Sequence, residues 1–107
     1  MSVPRPPEAC ETMADLRAEI DTIDKELIAL LARRAGFIDR AAQLKVRDWL
    51  PPRTTARVAE VIDRVRHLAQ TEGLDPELAE TLWSDLIEWG IAHEAEVMGV
   101  AEDGTPP

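Results

Sequence analysis

The chain has 107 residues, a net charge of −9 and a pI near 4.6. That length predicts one domain. So acidic a balance argues against a nucleic-acid-binding protein, which needs a basic face, and against a surface for anionic lipid. No apolar run approaches the ~20 residues of a membrane span, and the opening MSVPRPPEAC lacks the apolar stretch of a signal peptide. A cytoplasmic location is the expectation. Cys10 is the single cysteine, which excludes an internal disulfide and any CxxC metal pattern.

Residues 1–11 are polar and Pro-rich and are expected to be disordered or extended. From Thr12 to about Lys45 the chain reads TMADLRAEIDTIDKELIALLARRAGFIDRAAQLK, without proline. Leu16, Ile20, Ile23, Leu27, Leu31, Ile38 and Ala41 or Ala42 recur at gaps of mostly three and four, which is helix periodicity. Thr12 followed by Asp15 fits a capping box. Such a helix is roughly 50 Å long, whereas a compact domain of about 100 residues has a radius of gyration near 13 Å. The rest of the chain is too short to cover that stripe, so a second copy is expected to do so, in an obligate homodimer. Continuing the stripe from Leu27 and Leu31 brings in Arg34 and Lys45. Eleven residues apart, they differ by only about 20° around the helix. Two readings stand: their stems pack while their heads stay in water, or their charges face a ligand.

Pro51-Pro52 cannot continue a helix, so VRDWLPPRTT is read as a loop. Trp49 either pins that loop to the core or folds with it over something else. A second helix starts at Thr54 or Thr55 and stops at Gly73, with a stripe of Val58, Val61, Ile62, Val65, Leu68 and Ala69. Arg57 in its first turn opposes the helix dipole, which points to a partner or ligand. His67 has no second ligand at metal spacing. Asp75-Pro76 opens a third helix, as cap and first residue, which runs to about Met98 before Gly99. Glu94 falls on its stripe where an apolar residue is expected, either because the stripe has frayed into water or because the carboxylate is wanted inside. Gly90, mid-helix, costs about 1 kcal/mol against Ala and makes room for a neighbour or a ligand. The tail after Met98, residues 99–107, is expected to be disordered.

The fold class is therefore all-α, with one long and two medium helices forming a helical domain over residues 12–98. There is no glycine-rich phosphate loop, no Ser/His/Asp arrangement and no metal cluster, so neither a cofactor nor a metal is expected. What remains is Arg34, Lys45, Arg57 and Glu94 on otherwise apolar faces, a set suited to a small anion.

The segment LRAEIDTIDKELIALLARRAGFIDRAAQLK resembles the first helix of the all-helical class of chorismate mutases, and the likeness runs from about Pro7 to Met98. The pattern LRxxIDxIDxELIxLLxRR, followed eleven residues later by Lys45, carries it. The parts PEACETMADLR, GLDPELAETLW and LIEWGIAHE look closer to the isochorismate–pyruvate lyases of salicylate synthesis, a branch of the same fold. The resemblance implies an intertwined homodimer in which Arg34, Lys45 and Arg57 line their own chain's site and Arg17 enters from the partner. Seventeen residues separate Arg17 from Arg34, about 25 Å along one helix. Both therefore cannot grip one small molecule from the same straight helix.

The reaction so implied is pericyclic and needs no nucleophile. The protein holds a flexible dicarboxylate in a compact, chair-like shape and stabilises charge building on the ether oxygen as the C–O bond breaks. Arg17 and Arg34 would each grip a carboxylate. Lys45, with Glu94 if protonated, would donate to the ether oxygen. This sequence departs from the chorismate mutase pattern in two places. Acidic residues common at the start of the second helix correspond to Thr54 and Val58, the latter matching the lyase branch. Glu94 stands where many members carry Gln. Chorismate mutase is thus the first reading. A lyase, or one protein with both activities, is the alternative. A non-catalytic helical dimer that binds a protein partner is the third.

Overall fold

Three α-helices dominate residues 4–106, which are the residues described by this computed structural model: α1 (Met13–Asp48), α2 (Thr55–Glu72) and α3 (Pro76–Met98), preceded by one 3-10 turn at Pro7–Ala9. No strand occurs among the described residues, so the all-α expectation holds. No helix is long and apolar enough to cross a membrane. The chain divides into two compact units, one ending at Gly36 and the other beginning at Phe37, with α1 running through the boundary.

In the first unit, Thr12 Oγ1 accepts the Asp15 N–H at 3.0 Å, the cap read from the sequence. The Asp15 carboxylate reaches back one residue further than a capping box requires, to the Glu11 N–H at 3.3 Å. That N–H, and behind it Arg5, hold the Asp15 carboxyl below the usual carboxylate range. Arg5 pairs with Glu19 at 2.9 Å and Asp15 at 3.2 Å. Within the segment expected to be disordered or extended, residues 4–11 thus include a 3-10 turn and lie against the first turns of α1, and residues 1–3 lie outside the described residues. Proline favours the start of such a turn, and Arg5 supplies the anchor. The apolar stripe of α1 is uncovered here: Ile20, Ile23, Leu27 and Leu31 are 37–53% exposed.

In the second unit, α2 and α3 pack on each other. The buried core is small: Ala42 from α1, Val65 and Ala69 from α2, and Ala79, Ile91 and Ala95 from α3. A Cβ added at Gly90 would lie 3.7 Å from the Ile38 side chain. Gly90 therefore admits α1 to close approach on α3. Gly73 ends α2 in the left-handed conformation (φ 78°), its N–H shared between the Ala69 and Gln70 carbonyls. Asp75 caps α3 by accepting the Glu77 N–H at 2.9 Å.

Two local features differ from the sequence reading. α1 runs one turn past Lys45, because Pro51 restricts only Leu50 and leaves residues 46–48 free to remain helical. It ends with Trp49 at φ 59° and the Leu50 N–H donating to the Lys45 carbonyl at 2.9 Å, a closure usually given to glycine. Trp49 is 93% exposed and pins nothing; the buried anchor of the loop is Pro52. Of the segment after α3, expected to be disordered, residues 99–106 fold back instead, and residue 107 lies outside the described residues. The Arg53 N–H donates to the Glu102 carbonyl at 2.9 Å, and the Arg53 guanidinium reaches the Glu102 carboxylate at 3.1 Å.

A Cβ at Gly73 meets nothing within 4 Å, so Gly73→Ala isolates the cost of the left-handed conformation. It should destabilise the protein by about 1–2 kcal/mol in thermal or urea unfolding. An unchanged midpoint would mean that the α2–α3 turn has another conformation in solution.

Candidate functional site

Lys45 and Glu94 meet inside the second unit. Lys45 lies in the last turn of α1, and its ammonium is only 17% exposed by side chain. Glu94 lies on α3 on the face that carries Gly90, Ile91 and Ala95, and it is 4% exposed. Its place on that face follows from helix period, and its burial excludes a frayed, wet end to the α3 stripe. Lys45 Nζ lies 2.6 Å from Glu94 Oε1 and donates to the Pro52 carbonyl, also at 2.6 Å. The contact with Glu94 is an ion pair by distance but lacks hydrogen-bonding geometry, so Oε1 is buried without a directed donor. An ammonium has three N–H groups. The carbonyl takes one, and at least one more is uncommitted.

Such a pair is a poor way to glue helices. Desolvating two charges costs several kcal/mol per ion, and apolar residues of similar volume commonly hold a core as well or better. A buried carboxylate oxygen without a directed donor adds to the cost. Lys45 lines a cavity of about 400 Å³ with Val46, Trp49, Leu50 and Met98, closed on one side by residues after α3.

The other residues singled out from the sequence are placed differently. Arg57, in the first turn of α2, is exposed and pairs with Glu60 on its own helix at 2.5 Å. Arg34, in the first unit, is half-buried; Arg17, nearer the start of α1, is exposed. Among the described residues neither has a carboxylate within ion-pair distance. The single chain thus joins Lys45 to Glu94 and leaves Arg17 and Arg34 uncommitted. Among the same residues, no group of three His, Cys, Asp or Glu could hold a metal. Sequence reasoning missed two contributors. Pro52 was read as a helix stop, whereas its carbonyl is the second partner of Lys45. Arg53 was not singled out, although a cation directly after Pro-Pro, where the chain must turn, was the available signal.

Comparison with known proteins gives one consistent result. The sequence pattern of the family described as chorismate mutase type II matches residues 16–95. An isochorismate pyruvate lyase of Pseudomonas aeruginosa is 33% identical over 88 residues, covering 82% of this chain and 86% of that protein. A chorismate mutase of Methanocaldococcus jannaschii is 28% identical over 88 residues, covering 82% and 89%. A 4-amino-4-deoxychorismate mutase of Streptomyces venezuelae is 35% identical over 72 residues, covering 67% and 70%.

If the Lys45–Glu94 pair is kept for chemistry and not for stability, Glu94→Leu should cost about 3 kcal/mol, because it strands a largely buried ammonium. Adding Lys45→Met should recover part of that loss, the Pro52 carbonyl remaining unpaired. Urea unfolding of the two variants measures this. A double variant less stable than Glu94→Leu would show that the pair holds the fold together.

Proposed function

The chain belongs to the chorismate mutase type II family, and on that premise we propose that it is a chorismate mutase, acting over residues 12–98, with isochorismate–pyruvate lysis as the alternative reaction. The observation that carries this reading is Lys45: a cation withdrawn from water, with a spare N–H, beside a buried carboxylate. Both reactions break the same kind of bond, the C–O bond of an enolpyruvyl ether. In the mutase reaction a C–C bond forms as that bond breaks. In the lyase reaction a ring hydrogen moves to the enolpyruvyl methylene, and salicylate and pyruvate result. Neither requires a covalent bond to protein. Both need the ether oxygen stabilised as it takes on charge, which is the task of Lys45.

The lyase alternative has support in the relative from P. aeruginosa and in Val58, half-buried on the first turns of α2, where an acidic residue would otherwise meet a ring hydroxyl. Incubating the protein with chorismate and, separately, with isochorismate, and measuring prephenate against salicylate plus pyruvate, decides between the two. Turnover of neither would leave the third reading, a helical dimer that binds a protein.

In this proposal the active unit is an intertwined homodimer. Support comes from α1, whose stripe of Ile20, Ile23, Leu27 and Leu31 is left in water by a single chain. Burying apolar surface contributes about 25 cal/mol per Å², so a stripe of this length is strongly driven to find a cover. Each site would take Arg34, Lys45, Arg57 and Glu94 from one chain and Arg17 from the other. Arg17 and Arg34 grip the two carboxylates, and Arg57 leaves the exposed Glu60 for the substrate at small cost, since exposed pairs are worth at most about 1 kcal/mol.

Arg34→Ala should remain dimeric yet lose at least about 30-fold in kcat/KM, the equivalent of roughly 2 kcal/mol. Near-normal kinetics would remove Arg34 from the site. Mixing inactive Arg17→Ala and Arg34→Ala chains should restore activity, because each mixed dimer has one site with both lesions and one with neither. No recovery in properly mixed dimers would assign both arginines to one chain's site.

Glu94→Gln should raise kcat/KM at about pH 7. An ionised carboxylate only accepts, whereas the amide keeps an acceptor for Lys45 and adds an N–H donor for the ether oxygen. An unchanged Gln variant would place Glu94 out of reach of the substrate.

A further inference from the structure

Arg53 links three parts of the second unit. Its backbone N–H donates to the Glu102 carbonyl at 2.9 Å. Its guanidinium grips Glu88 of α3 through two bonds, 3.0 and 2.6 Å, and reaches the Glu102 carboxylate at 3.1 Å. The segment that carries Glu102 is itself a closed turn: the Ala101 N–H donates to the Thr105 carbonyl at 2.8 Å and the Gly104 N–H to the Ala101 carbonyl at 2.9 Å. Gly104 is left-handed (φ 89°), and a Cβ there would come within 3.1 Å of Pro51 Cβ. Only glycine combines that backbone with so close an approach. The chain after α3 therefore lies directly on the loop between α1 and α2.

That loop has few other anchors. Trp49 is 93% exposed and Leu50 47% exposed, so apolar burial holds only Pro52. The left-handed Trp49 adds strain, which persists only where the surroundings fix the backbone. Yet the loop supplies the Pro52 carbonyl to Lys45 Nζ at 2.6 Å. Arg53 is the next residue. A chain of contacts therefore runs from Glu102 and Glu88 through Arg53 to Pro52 and on to the ammonium.

We propose that residues 100–105 form a strap that fixes the α1–α2 loop, and that Arg53 and Glu102 are positioning residues which aim Lys45 through the Pro52 carbonyl. The inference rests on Lys45 contacting substrate in the reaction proposed above. Exposed ion pairs contribute little to stability one at a time, so the strap's effect lies in geometry. Misplacing a reacting group by about 1 Å can cost up to about 100-fold in rate. The strap also makes the functional unit longer than the helical domain, since residues beyond Met98 belong to the site's support.

The test uses the full chain, a chain ending at Val100, Glu102→Gln, Arg53→Lys and, as a control ion pair elsewhere, Arg66→Ala. Two readouts are taken: hydrogen exchange of the Arg53 amide, and kcat and KM on whichever of chorismate and isochorismate the full chain turns over. Loss of the strap should speed exchange at Arg53 at least 10-fold and lower kcat about 10-fold, with a smaller change in KM. Glu102→Gln, which keeps the backbone bond, and Arg53→Lys, which keeps the charge, should fall between these limits. Arg66→Ala should match the full chain. Unchanged exchange in the shortened chain overturns the strap, whatever happens to the rate. Faster exchange with an unchanged kcat shows a strap that positions nothing and overturns the role of Arg53 and Glu102. A full chain inactive on both substrates sinks the catalytic reading, and the positioning role with it, while exchange still reports whether the strap exists.

Discussion

A cation taken out of water has to be given partners, and that requirement arranges most of the second unit around Lys45. Its ammonium sits 2.6 Å from Glu94 and 2.6 Å from the Pro52 carbonyl. To place Glu94 there, α3 must present one polar position between Ile91 and Ala95. To place the carbonyl there, α1 must end within one turn and the chain must reverse through Pro51-Pro52. To let the two helices approach, α3 carries Gly90 against Ile38 at the expense of helix propensity. Each of these choices weakens the local structure a little: a buried charge pair, a left-handed tryptophan, a mid-helix glycine. In the proposed function they have a common reason, which is to hold the ammonium in place.

The same logic explains why the core is so small. The buried apolar residues are mainly alanines, with Val65 and Ile91. Small residues permit close helix approach but contribute little transfer free energy. The larger apolar side chains, among them Ile20, Ile23, Leu27, Ile28 and Phe37, are exposed in the single chain. In the proposed homodimer a fold that spends its bulk on an open stripe would gain stability from association, so site assembly and folding would be linked by mass action. If Arg17 enters from the partner, the interface does two jobs. It covers the stripe, and it brings the second carboxylate grip to a site whose own helix cannot reach it.

The helices were legible in the sequence because their signals are local. Thr12, Asp75-Pro76, Gly73 and Gly99 mark ends through caps that act within four residues, and each lies at a helix boundary. Glu94 was legible as an interruption of a 3.6-residue period, although period alone could not say whether it was wet. The family was legible from the spacing of Arg17, Arg34 and Lys45 among the leucines. What was not legible depends on pairs far apart in the chain. Nothing local reveals that Arg53 meets Glu88 and Glu102, 35 and 49 residues away, so a tail of small and acidic residues read as disordered. Trp49 read as an anchor because tryptophans usually are; here the helix closure turns it outward. Arg57 was noticed for opposing the helix dipole, and its partner proved to be the nearby Glu60.

One apparent contradiction remains to be reconciled: a protein at −9 proposed to bind a dianion. At physiological salt, charges more than about 8 Å apart are largely screened. The excess acid on the surface thus lowers the encounter rate but does not set the affinity. Affinity depends on charges within contact distance and out of water, where the effective dielectric is lower and attraction correspondingly stronger. Lys45 and Glu94 are of opposite charge, so as a pair they repel a carboxylate only weakly. In the proposed reaction a substrate oxygen would take the spare N–H without unpairing either residue, and the arginines would supply the positive charge that the surface lacks. This division of labour removes any need for a basic protein, and it makes placement of a few cations, to within an ångström, the property on which activity depends.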